Sequence, residues 1–314
     1  MMLTKQISKV QKVTYTPDGF HPITLWIKRE DLLHPHISGN KYRKLRYNLE
    51  AAKEQGYHTL ITFGGAYSNH IAATAAAGKE FGFQTIGVIR GDELASKLSL
   101  TPIENPTLHF AHQQGMQFKF VDRKTYRLKH TDAFIQSLYD EFGKAYIVPE
   151  GGTNLLAVKG CEEILTDDES KFDYICSAIG TGGTIAGLIN SLKPHQKVLG
   201  FPALKGDFLE DMIKKFVCSD TNWTLIKDYT FGGFAKINEE LVVFINDFKK
   251  QTGVQLDPIY TGKMMFGLIR MFTAGYFKPT DSVLAIHSGG LQGIAGMNAR
   301  LKRKNSPLII TDDE

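Results

Sequence analysis

Residues 174–184 read Tyr-Ile-Cys-Ser-Ala-Ile-Gly-Thr-Gly-Gly-Thr. Six strand-forming residues are followed by a turn of three glycines and two threonines, and a helix is predicted from Ile185. A glycine-rich turn between a strand and a helix points backbone N–H groups at an anion, helped by the positive end of the helix. Glycine alone would merely permit a tight turn. The hydroxyls of Thr181 and Thr184, beside Gly182 and Gly183, favour phosphate binding. A dinucleotide fingerprint would need glycine at position 185, where Ile185 stands, and no Gly-Lys-Ser/Thr follows to make a P-loop. The phosphate therefore belongs to another kind of cofactor.

Outward from this stretch, short apolar strands alternate with amphipathic helices. Strands are predicted at 25–28, 59–63, 84–89, 117–121, 145–148, 197–201 and 282–286. Helices are predicted after Asn40, over 69–80, 106–114, 131–142 and 155–165, with a helical pair between the last two strands. Such alternation implies an α/β fold of mainly parallel sheets covered on both faces. The number of strands suggests two sheets, and no Pro- or Ser-rich linker separates them, so two lobes interleave along the chain.

The 314 residues are 42% hydrophobic and 22% charged, which excludes a disordered chain. A net charge of +4, evenly spread, argues against a nucleic-acid partner. No apolar run reaches the roughly 20 residues of a membrane span, and the polar start lacks a secretory signal. Cys161, Cys176 and Cys218 are widely spaced, which fits a reducing cytoplasm and buried thiols rather than disulfides or zinc.

In open α/β sheets, ligands sit beyond the carboxyl ends of the strands. Two further turns fall there: Gly64-Gly65-Ala66-Tyr67-Ser68-Asn69-His70 and His287-Ser288-Gly289-Gly290. Ser68 and Asn69 are good helix caps, yet capping does not need the whole polar run after a double glycine. Lys41 follows Ser38-Gly39-Asn40 at a predicted helix start, with Arg43, Lys44 and Arg46 nearby. A lysine opposed by a helix N-terminus and by other cations has a depressed pKa, as a Schiff-base amine requires. With a phosphate cradle, this points to pyridoxal 5'-phosphate.

The chain resembles the 1-aminocyclopropane-1-carboxylate (ACC) deaminase / D-cysteine desulfhydrase family of tryptophan synthase β-like enzymes. The resemblance rests on IKRED (27–31), SGNKYRKL (38–45), GGAYSNH (64–70), PEGGTN (149–154), GTGGT (180–184), DPIYTGK (257–263) and HSGG (287–290), in the family's order. It implies two open-twisted α/β lobes with the cofactor between them. The larger lobe would comprise residues 1–43 and 151–314, and the smaller, 44–150, would be inserted in it. Lys41 would hold pyridoxal phosphate as an imine. Asn69 would bond the phenolic oxygen of the cofactor ring. Ser68 would face the substrate as carboxylate binder or as nucleophile or base. Thr181, Gly182, Gly183 and Thr184 would hold the phosphate, supported by Lys44. Tyr260 would lie near the reacting carbon, and Thr261 would face the pyridine nitrogen. A homodimer in the cytoplasm, acting on a small amino acid, completes what the resemblance implies.

Three departures refine the substrate. Relatives that open the cyclopropane ring carry glutamate where this chain has Thr261. A hydroxyl keeps the pyridine nitrogen protonated less firmly than a carboxylate, and a shallower electron sink suits α,β-elimination. The ring-opening enzymes also place a tyrosine where Phe234 aligns, although Tyr229 could fill that place. Tyr67 replaces the family's usual glutamine. The expected activity is therefore elimination from a β-substituted amino acid, giving a 2-oxo acid and ammonia. ACC deamination is the near alternative, and racemisation or non-catalytic binding are more distant ones. No metal is expected: His34, His36, His109 and His112 read as surface residues, and His70 and His287 as neighbours of the site. Residues 300–304 read as a solvated helix end.

Overall fold

The computed structural model describes residues 3–95 and 105–312. Its strands are β1 (Val10–Tyr15), β2 (Ile23–Lys28), β3 (Thr59–Gly65), β4 (Gln84–Arg90), β5 (Gln117–Val121), β6 (Tyr146–Val148), β7 (Tyr174–Ile179), β8 (Lys197–Pro202), β9 (Trp223–Leu225) and β10 (Val283–Ile286). The helices are α1 (Asn40–Glu54), α2 (Asn69–Phe81), α3 (Pro106–Gln113), α4 (Arg123–Tyr126), α5 (Asp132–Phe142), α6 (Leu155–Glu162), α7 (Gly183–Asn190), α8 (Phe208–Lys214), α9 (Glu239–Thr252), α10 (Thr261–Thr273) and α11 (Gly293–Lys302).

Six strands form one sheet in the order β1-β2-β10-β7-β8-β9, and four form another in the order β5-β4-β3-β6. Every pairing is parallel except β1 with β2. Successive residues of a strand point to opposite faces. Accordingly, Cys176 and Ala178 of β7 enter the core containing α9 and α10, whereas Ile175 and Ile179 enter the core containing α7. Both faces of the larger sheet are therefore buried, and its strands read as unbroken apolar runs.

Some features differ from the sequence expectation. Edge strands β1 and β9 lie outside the sequence expectation: β1 carries Lys12 and Thr14 outward and buries only Val13 and Tyr15, and β9 has three residues. Gly64 and Gly65 do not end β3 but continue it, paired with Ile89 and Arg90. Glycine is needed at 64 because a Cβ would lie 2.8 Å from Ser68 Oγ. Helix α6 stops at Glu162, and Ile164 and Leu165 instead turn back into the core. A lobe boundary at 43/44 falls inside α1, whose Leu45, Leu49 and Ala52 pack with Leu60 and Val148 of the smaller sheet. Cys161 and Cys176 are buried, but Cys218 is exposed, and all three are free thiols.

The charges of IKRED join distant segments. Lys28 pairs with Glu169 at 2.7 Å, fully buried. Glu30 accepts two bonds of 2.8 Å from the Arg43 guanidinium, linking the strand end to α1. Asp31 pairs with Arg29 and lies 3.4 Å from His287 Nδ1. Breaking one member of a buried pair leaves a charge without compensation, at a cost of roughly 3–5 kcal/mol. Glu30→Ala is expected to lower stability by about that amount, read as a shift of the urea midpoint; an unchanged midpoint would remove this pair from the account of the fold.

Candidate active site

Helix α1 carries Lys41 and Lys44, three residues apart and so on one face. Lys44 Nζ donates to the Gly151 carbonyl at 3.1 Å, to Thr153 Oγ1 at 2.9 Å and to Thr181 Oγ1 at 3.3 Å. Lys41 Nζ donates to Asn40 Oδ1 at 2.7 Å, and Asn40 Nδ2 donates to Thr184 Oγ1 at 2.8 Å. The two lysines are thereby tied to opposite ends of the glycine-rich turn. Gly182 (φ 80°) is the cap of α7. A Cβ on Gly183 would meet Thr153 at 2.9 Å and Lys44 Nζ at 3.3 Å. Only glycine leaves this concavity open to a ligand.

The other expected residues line the same region. Tyr260 caps α10 and rests on the turn: a Cβ on Gly180 would lie 3.1 Å from its ring. Thr261 is fully buried; its hydroxyl donates to Asp257 Oδ1 at 2.7 Å and accepts from the Asp257 N–H at 2.9 Å. Asn69 Oδ1 accepts from Gln292 Nε2, so its amide nitrogen is the free-facing end, beside Gly290 and Asp257. Ser68 caps α2 by accepting from the Ile71 N–H at 3.4 Å, a long bond that leaves most of its hydrogen-bonding capacity. The N-termini of α1, α2 and α7 thus open on one region and favour anionic groups there, whereas the N–H groups leading into α10 already bond the Asp257 carboxylate.

Electrostatics separate the residues further. Burial, then the neighbouring Lys44 charge, lowers the Lys41 amine to about 7. The sequence attributed this to the whole basic cluster. In the structure Arg43 is neutralised by Glu30 and Arg46 by Glu163, so Lys44 is the cation that acts. Burial also lowers Lys44, whose three acceptors are neutral oxygens. Burial and Asp257 push the Tyr260 phenol upward, so it stays protonated. His70 is held neutral by burial and by the two lysines. Since Thr62 Oγ1 spends its proton on the Val148 carbonyl, His70 Nε2 must donate to it, and the buried Nδ1 lone pair has no partner among the described residues. His287 Nε2 donates to the Gln255 carbonyl at 2.6 Å and its Nδ1 accepts from the Gly289 N–H at 3.3 Å, with Asp31 Oδ1 3.4 Å away, so the ring links segments behind the site.

The two tyrosine alternatives are separated by their places. Tyr229 packs under Gly267 and against Phe266 in the core. Phe234 lies edge-on to Tyr260, with ring centroids 6.2 Å apart. Tyr67 packs on α11, where a Cβ on Gly296 would meet its ring at 2.5 Å. Asn40, Thr153 and Gln292 were not singled out from the sequence. The first two stand inside quoted motifs and the third two residues beyond one, so adjacency was the available signal.

A cation with no carboxylate partner among the described residues, three hydroxyls and a helix N-terminus around a concavity suit a phosphate, and an amine of lowered pKa beside it suits an aldehyde. The chain belongs to the pyridoxal-phosphate-dependent enzyme family, which matches residues 15–289. Its cofactor is pyridoxal phosphate, and its fold is the tryptophan synthase β-like one. Among individual proteins, it is similar to the crystal structure of an ACC deaminase homologue, with TM-score 0.79 and 30% identity over 96% of this chain and 94% of the other. It is 30% identical, over 86% of its length and 73% of the relative's, to the mitochondrial bifunctional D-cysteine desulfhydrase/ACC deaminase of Arabidopsis thaliana. To a D-cysteine desulfhydrase of Klebsiella pneumoniae it is 28% identical, over 88% and 90% of the two chains. Among the described residues, no helix is long and apolar enough to cross a membrane, and no group of His, Cys, Asp or Glu is placed to hold a metal ion.

Proposed function

We propose that this enzyme deaminates a small amino acid by α,β-elimination, expelling the β substituent and, after addition of water, releasing a 2-oxo acid and ammonia, with D-cysteine (giving hydrogen sulfide, pyruvate and ammonia) as the type substrate. The observation that carries this reading is Thr261. Position 261 carries a hydroxyl and not a carboxylate, and that hydroxyl already donates to Asp257 Oδ1 and accepts from the Asp257 N–H, so its proton is spent before a pyridine nitrogen could receive it. Phe234, the side chain against Tyr260, has no hydroxyl to assist ring opening. ACC deamination is the second reading, favoured by the bifunctional relative.

The phosphate group would be held by Thr181, Gly182, Gly183 and Thr184 at the start of α7, with Lys44 as its cation. Asn69, its amide turned by Gln292, would donate to the phenolic oxygen. When bound, pyridoxal phosphate supplies a conjugated sink for the electrons left at Cα. Lys41 would hold the cofactor and would take the Cα proton; an amine with a pKa of about 7 is matched to that task. Ser68 and the α2 N-terminus would orient the substrate carboxylate. Tyr260, kept protonated, can donate to the departing β substituent. On this reading residues 44–150 form the smaller lobe, and the enzyme works as a homodimer in the cytoplasm, testable by sedimentation and cell fractionation.

The deciding experiment offers D-cysteine, L-cysteine, β-chloro-D-alanine and ACC in parallel and measures pyruvate and 2-oxobutanoate. Preference for ACC would overturn the inference from Thr261 and Phe234; recovery of the amino acid with inverted configuration would make the enzyme a racemase. Ser68→Ala is expected to cut turnover by about 100-fold or more if the hydroxyl orients substrate. Capping alone would cost about 1 kcal/mol of stability and leave the rate near that of the parent.

A further inference from the structure

The turn over residues 230–236 adopts a conformation that its own residues disfavour. Phe231 (φ 51°) and Ala235 (φ 55°) lie in the left-handed region, and Gly232 and Gly233 between them also have positive φ. Each non-glycine residue there costs on the order of 1 kcal/mol or more, so the geometry persists only where neighbours impose it. Two cations impose it here. Lys263 Nζ donates to the Thr230 carbonyl at 2.9 Å and the Gly233 carbonyl at 2.8 Å. Arg300 Nη1 donates to the Ala235 carbonyl at 2.7 Å, so this residue is not part of a solvated helix end.

Lys263 is almost wholly buried, and burial lowers its amine to about 8 against the opposing pull of Asp257. Keeping an ammonium there is expensive unless its hydrogen bonds matter. The turn it grips carries Phe234, whose ring meets Tyr260 edge-on at 6.2 Å. Tyr260 in turn rests on Gly180 of the phosphate cradle. Tyr260 and Lys263 are three residues apart at the start of α10, so one helix end carries both the ring and the grip on what covers it.

We propose that Lys263 is a positioning residue: by holding the Thr230 and Gly233 carbonyls it sets Phe234 over Tyr260 and pre-orders the substrate end of the site. The assignment of that end to the substrate rests on the function proposed above. A released turn would have to be ordered at each binding event, and that entropic cost falls on KM more than on kcat.

Lys263→Met keeps the length of the side chain and removes its donors. In the holoenzyme, trypsin cleavage after the exposed Lys236, followed by fragment mass, is expected to speed up about tenfold, with cleavage at residues 302–304 unchanged. KM for β-chloro-D-alanine is expected to rise about tenfold with kcat within about threefold. A lysine that only stabilises the fold would instead lower the active fraction, reducing kcat at constant KM, and that result would overturn the proposal. So would unchanged cleavage and unchanged KM. If Lys263→Met does not fold, Arg300→Met decides: faster cleavage after Lys236 with a raised KM supports the clamp, and parent-like values for both refute it. A parent enzyme without elimination activity would count against the proposed reaction, and the cleavage rates alone would then decide the clamp.

Discussion

Lys41→Ala is expected to release no measurable 2-oxo acid, a loss of at least about 10⁴-fold, while the protein remains folded. On the proposed function two roles end together: the covalent hold on the cofactor and the base for the Cα proton. The fold is expected to survive because, among the described residues, the Lys41 amine bonds only its neighbour Asn40 and alanine is the best helix former. The sign of the stability effect follows from the depressed pKa of about 7. Below pH 7 the amine is charged in both folded and unfolded chains, and the folded chain bears the full cost of burying it beside Lys44. Between about 7 and the ordinary lysine value, the unfolded chain binds more protons, so stability from this group rises with pH. With both proteins compared as apoprotein, removing it should therefore raise the thermal midpoint more at pH 6 than at pH 9. Borohydride trapping with peptide mapping checks the attachment: label in the parent at any residue other than Lys41 would end the assignment. In the parent apoprotein, cofactor uptake should climb with pH, reach half its maximum near 7 and level off about one unit higher, since the neutral amine is the nucleophile.

Lys44→Met is the second large effect. The variant loses the cation that joins Gly151, Thr153 and Thr181. A hydrogen bond to a charged group contributes about 1.5–3 kcal/mol, so the cofactor dissociation constant is expected to rise about 10- to 100-fold. Excess cofactor should restore most of the turnover, which separates this lysine from Lys41. The uptake profile should also move to higher pH, because Lys44 is the charge that helps depress Lys41. Unchanged affinity for the cofactor would place Lys44 outside the phosphate site.

The helices and most strands were legible because their apolar periods are local. Edge strands escaped: β1 buries alternate residues only and β9 is three residues long, so neither rises above the background of short apolar runs. The motifs were legible as strings, but their roles were not. IKRED reads as a charged run, yet Lys28 finds Glu169 across 141 residues and Glu30 finds Arg43. Thr153 and Gln292 belong to the site through partners, Thr181 and Asn69, that no local pattern connects to them.

The order of the glycine turns and the identity of the chemical groups they carry were settled by the chain alone, because a tight strand-to-helix turn is a requirement of local backbone conformation. Which groups meet was settled by tertiary structure. Lys44 reaches Thr153 and Thr181 across 109 and 137 residues, Gln292 turns the Asn69 amide, and Asp257 occupies the Thr261 hydroxyl. The acidity of Lys41 belongs to the same class, since desolvation depends on everything packed around an amine and not on its neighbours in sequence.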